Sequence, residues 1–144
     1  MNNSARTTLL FAAAALMLFG AAGNAFDLLP DLRGDLIELG VRRSVLGGTV
    51  ILMDFAVTAM FGMAAIVLVA AIQSVRGVMP TRFPLAVIAA VYVVGGLLAY
   101  SWSHSPHHLG TVAMGMLVTA AVAIPQSQKS LTSPLPAAGP RRAS

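Results

Sequence analysis

The sequence predicts an all-α integral membrane protein: an antiparallel four-helix bundle with a short outer interfacial helix and a disordered C-terminal tail. Three observations carry that expectation. Of 144 residues, 57% are hydrophobic and only 10% are charged, with a mean hydropathy of +0.81, whereas a soluble domain carries about a quarter charged residues. The apolar share is about 82 residues, enough for about four bilayer spans of about 20 residues each. These residues fall in four runs of Val, Ile, Leu, Ala and Gly without the period-2 alternation of a membrane barrel. Backbone in lipid must satisfy its own hydrogen bonds, so the runs are helices.

The expected transmembrane domain covers residues 1–125, with helices over about 8–26, 46–72, 84–102 and 109–125. The first run has a second reading. Arg6 and the stretch Leu9–Gly20 resemble the n- and h-regions of a cleaved signal peptide, with small residues at Gly23-Asn24-Ala25 where a cleavage site needs them. The run continues to Phe26, however, and is long enough to span. A retained helix is the better reading; cleavage would leave three spans.

Between the first two runs, Pro30 and Asp31 mark a helix start and Gly40 a stop. Leu32, Leu36 and Leu39 recur at i, i+4, i+7, with Arg33, Asp35 and Glu38 on the other face. This predicts a short amphipathic helix over about 31–39, lying at the outer interface. The second loop, Ser74–Phe83, is broken by Gly77, Pro80 and Pro84. The third, Ser101–His108, turns at Pro106. Loops this short make consecutive helices antiparallel neighbours. Residues 126–144 are rich in Ser, Pro and Ala and predict a disordered cytoplasmic tail.

Charge placement sets the expected orientation. Arg6, Arg76, Arg82, Lys129, Arg141 and Arg142 lie on one side; Arg33, Arg42 and Arg43 lie on the other. Both termini are therefore expected in the cytoplasm of a bacterial-type inner membrane. The basic balance of +4 serves topology, and the expected partners are the bilayer and a second copy or another membrane protein, with no nucleic acid. The chain has no Cys, which excludes thiol redox chemistry, disulfides and thiolate metal sites. No cofactor is expected.

Asp54 is the one ionisable residue well inside an apolar run. A charged Asp at a helix centre costs about 2.5–3.5 kcal/mol on insertion scales, so such residues face protein or water and mark sites. Thr58 follows on the same face at i+4. Tyr92, Gly96, Tyr100 and His104 form a stripe at i+4 steps, and Asn24 lies near the outer end of the first run. Stacking the antiparallel helices by depth puts Asp54 level with Gly20, Gly95, Gly96 and Gly115, where small residues permit close approach. The expected site is a polar-lined outer half holding Asp54, Thr58, Tyr92, Tyr100 and Asn24. Its competitor is an interhelical network with no role beyond packing.

His104, His107 and His108 are the metal-ligand candidates, since imidazoles so spaced suit Zn²⁺ or Cu²⁺. Pro106 interrupts the rigid helix such a motif needs. No nucleophile–base pair, phosphate-cradling loop or dinucleotide fingerprint is present, which argues against an enzyme. The sequence thus favours a non-catalytic binding or assembly module. The alternatives are a proton- or cation-coupled small-molecule transporter acting as a dimer through Asp54, and a membrane enzyme or metal-binding protein using the outer His, Asp and Tyr residues.

Overall fold

The computed structural model describes residues 2–124. The expected tail lies outside the described residues. Among these the chain is all helical: α1 (Asn2–Gly23), a π-helical turn (Asn24–Leu28), α2 (Leu29–Glu38), α3 (Arg43–Val75), α4 (Arg82–Ser103) and α5 (His107–Ala123). Three of these helical rods are long and apolar enough to cross a membrane, and α5 is a shorter apolar helix.

The segment expected to lie along the interface instead prolongs α1. Gly23, Leu28 and Leu29 all keep right-handed helical dihedrals, so one rod runs from Asn2 to Glu38. The cause is Pro30. A proline has no N–H to give the carbonyl four residues back, and its ring crowds that carbonyl. Here the preceding turn widens, and the Leu29 N–H bonds the Asn24 carbonyl five residues back. The Asn24 side-chain amide also donates to the Gly20 carbonyl at 2.8 Å. The wider turn accommodates the proline without breaking the rod.

Gly40 ends α2 with φ +66°, while Val41 N–H reaches back to the Leu36 carbonyl. The same closure recurs after α3: Gly77 has φ +73°, and Val78 N–H bonds the Gln73 carbonyl. A left-handed residue closing the last turn in this way suits glycine.

α3 presents a heptad stripe to the α1–α2 rod. Leu46, Val50, Met53, Val57 and Met60 are partly buried, and Ala64, Val67 and Ala71 are buried. Leu10, Ala13, Ala14, Met17 and Ala21 line the core from α1; Leu85, Ile88, Ala89 and Tyr92 from α4; Val118 and Ala121 from α5. Alanine is frequent here, and small side chains let backbones approach closely.

The closest approach is between α4 and α5. A Cβ on Gly115 would stand 2.9 Å from the Ala89 oxygen and the Val93 nitrogen. One on Gly96 would stand 3.0 Å from the Val112 nitrogen. The helix order across the bundle is α3, α1, α5, α4. α1 is thus the hub, and the consecutive helices α3 and α4 barely touch, contrary to the neighbour rule for short loops. The turn at Gly77 and Pro80 brings the start of α4 back beside α3 with a groove left between them.

Candidate functional site

Large apolar side chains cover the outside of the bundle. Phe19, Phe83 and Trp102 are 80%, 79% and 89% exposed. A water-soluble monomer does not carry apolar surface on this scale. Phe83 and Trp102 stand at opposite ends of α4, where interfacial aromatics belong in a spanning helix.

The register of the helices fixes the level of Asp54. α2 and α3 are joined by the turn Leu39–Arg42, so residues equidistant from it lie side by side, and Asp54 falls beside Asp27. Gly20 faces the Met114 side chain, whose terminal carbon is 3.3 Å from the Cβ position. Asp27 lies about 10 Å beyond Gly20, and the α4–α5 turn at Pro106 about 12 Å beyond Met114, at 1.5 Å per residue. Asp54 therefore sits at the level of that turn, at the outer rim. The depth stacking had placed it with Gly20 and Gly115, about two helical turns deeper. Beyond the rim, α2 and the first part of α3 continue as a two-helix projection about 20 Å long, closed by Leu32, Leu36, Leu46 and Val50.

Asp54 points away from the bundle. It is exposed, and so are Ile51, Leu52 and Phe55 around it. Among the described residues its carboxylate has no hydrogen bond or ion pair. Thr58 donates its hydroxyl to the Asp54 backbone carbonyl at 2.8 Å, a local helix bond that leaves the carboxylate alone. Asn24 is likewise spent on the Gly20 carbonyl. Tyr92 is 4% exposed, and its buried hydroxyl has no hydrogen-bond partner among the described residues. Tyr100 stands at the outer end of α4 with its ring centre 6.2 Å from that of His104. α3 packs mainly on α1 and only lightly on α4; Asp54 and Thr58 are exposed on α3, while Tyr92 is buried in the core and Tyr100 is exposed at the far end of α4. The five candidates do not line one chamber.

The three histidines share the turn between α4 and α5, His107 and His108 in ring contact and His104 beside Tyr100. His104 ends α4 in the left-handed region at φ 54°, its N–H on the Tyr100 carbonyl at 2.8 Å. His107 Nδ1 and Ser105 Oγ share a hydrogen bond of 2.6 Å. His107 and His108 rings stand 3.8 Å apart at 49°. Among the described residues no three His, Asp or Glu side chains converge in a way that would hold a metal ion. The proline-broken turn is the physical reason: it parts His104 from His107 and His108, and those two rings alone make no three-ligand site.

The sequence reading missed two features of the inner end. Arg6, read as a topology charge or as the n-region of a signal peptide, is 4% exposed and lies within electrostatic reach of Arg82. A cavity of about 280 Å³ separates α3 from the start of α4, lined by Ala65, Ile66, Val69, Gln73, Thr81 and Leu85 among others. No spacing rule signals such a groove, because every wall residue is ordinary for a spanning helix. Comparison with protein-family models, curated proteins and solved structures finds no match to this chain.

Proposed function

We propose that the chain is a small multi-pass integral membrane protein, with both termini cytoplasmic, that acts as a non-catalytic binding or assembly module. The observation that carries the reading is the uncovered outer half of α3. Its heptad stripe is used against α1 and α2, while Ile51, Leu52 and Phe55 surround an Asp54 carboxylate that no side chain among the described residues engages. An acid inside an apolar surface is expensive unless water or a partner meets it. The docking element is this face, and the first partner to test is a second copy of the chain.

The absence of native Cys makes the test direct. Phe55→Cys and, as a control on α5, Ala120→Cys are reconstituted in phosphatidylcholine bilayers and oxidised. Disulfide-linked dimers at position 55 and not at 120 are expected, and Asp54→Asn should reduce them. Equal cross-linking at both positions, or none at 55, overturns self-assembly through α3.

A further inference from the structure

The groove between α3 and α4 is independent of the outer face of α3. Its walls are apolar along most of their length: Ala65, Ile66 and Val69 on one side and Leu85 on the other. Polar atoms enter only at the inner end, from Gln73 and Thr81. The Thr81 hydroxyl makes no capping bond to its own helix, so it is available to a group in the groove. A void that is hydrocarbon-like along its length and polar at one end has the polarity of a lipid.

Charge selects the kind of lipid. Arg76 follows α3 three residues past the wall residue Gln73, and Arg82 opens α4 next to the wall residue Thr81; both are exposed. All five acidic residues of the chain lie between Asp27 and Asp54, toward the outer end, so no side-chain carboxylate is available near the inner end. The positive end of the α4 dipole adds the same sign. A zwitterionic headgroup would bring its own cation against these guanidiniums, whereas an anionic one would not. Basic pockets between helices on the cytoplasmic side bind anionic headgroups.

We infer that this groove seats an anionic phospholipid, with an acyl chain between α3 and α4 and its phosphate between Arg76 and Arg82.

The test uses the full chain in neutral detergent, titrated with mixed micelles containing phosphatidylglycerol or phosphatidylcholine. Bound lipid is counted by native mass spectrometry. Phosphatidylglycerol should bind at least tenfold more tightly, on the order of what two basic residues provide. At about fivefold per arginine, Arg76→Gln with Arg82→Gln should weaken phosphatidylglycerol binding about twenty-fivefold and leave phosphatidylcholine binding unchanged. Val69→Trp should displace the chain from the groove and weaken phosphatidylglycerol with both arginines intact; Ala65→Leu serves if the tryptophan variant does not fold by circular dichroism. Equal binding of the two lipids, an unaffected double arginine variant, or full binding by the filled-groove variant would each overturn the inference. So would displacement of phosphatidylglycerol by millimolar inorganic phosphate, which marks a headgroup site without a chain.

Discussion

Alanine at Gly115 should destabilise the bundle by about 2 kcal/mol, the middle of the range for forcing an extra methyl into a packed core. The magnitude follows from what the methyl meets. Its Cβ would stand 2.7 Å from Val93 Cγ2, which can rotate, but also 2.9 Å from the Ala89 oxygen and the Val93 nitrogen, which cannot. An ordinary Cβ contact begins near 3.4 Å, so α4 must retreat by about 0.5 Å. A gap of that size forfeits about a quarter of the dispersion well for each contact across the interface. At Gly96 the tightest backbone atom is 3.0 Å away, so the retreat is smaller and about 1 kcal/mol is expected. Both substitutions require the same displacement of α4 from α5. The double variant should therefore cost less than the sum, as coupled sites do.

Gly95 supplies the control. It lies on α4 beside Gly96, and a Cβ there meets nothing within 4 Å. Gly95→Ala should be neutral or stabilise by up to about 1 kcal/mol through helix propensity. The assay is reversible unfolding in mixed micelles, followed by circular dichroism and by the single tryptophan, Trp102, which reports on α4. If Gly115→Ala and Gly95→Ala unfold within about 0.5 kcal/mol of each other, the span of ordinary surface changes, the close approach of α4 and α5 is refuted.

Three further outcomes follow. Tyr92→Phe removes a buried hydroxyl without a hydrogen-bond partner among the described residues. Since such a group carries a penalty of about 1–3 kcal/mol, the thermal midpoint should hold or rise, and a fall would mean the hydroxyl is engaged. Gly77→Ala forces a side chain into φ +73° and should cost about 1–2 kcal/mol, whereas Gly34→Ala, in open space at ordinary helical φ, should cost nothing in the same unfolding assay. Asp54→Asn should leave unfolding of the isolated chain within about 0.5 kcal/mol of the parent, because the carboxylate is exposed; a larger loss would place it in the bundle's own network.

How much of this was legible in the sequence depends on which signals survive in an apolar chain. The helical runs were visible because composition and length alone specify them. Gly20, Gly95, Gly96 and Gly115 were readable together as candidates for close approach; Gly96 and Gly115 do meet the facing helix, whereas Gly95 faces open space, because spacing alone does not tell which of two adjacent glycines points inward. The heptad stripe of α3 was not visible. Leu46, Val50, Met53 and Val57 are flanked by residues just as apolar, so the pattern lacks the polar contrast that reveals a stripe in water. The π-helical turn was hidden for a different reason. Pro30 after Asp27 is an ordinary helix boundary in sequence, and only a wider turn lets it sit inside a continuous rod. That error propagated: a rod broken at Pro30 leaves the outer segment flat on the bundle, whereas the continuous rod builds a projection and moves the rim down to Asp54.

The stripe also decides which way Asp54 acts. Ala64, Val67 and Ala71 are buried against α1 by the face that carries Met53 and Val57. Asp54 follows Met53 and is therefore rotated about 100° from that face. Bringing its carboxylate toward the interior would require turning α3 by most of that angle. The turn would take the three buried residues out of the core and leave larger side chains against α1, where alanines now permit close packing. At the rim the acid has less at stake than the 2.5–3.5 kcal/mol or so of a helix centre, whereas the turn would disturb every contact of the α1–α3 interface at once. Asp54 cannot serve the interior of this chain without dismantling the α1–α3 interface. Its carboxylate is committed outward, to the rim and to whatever helix or headgroup meets α3 there.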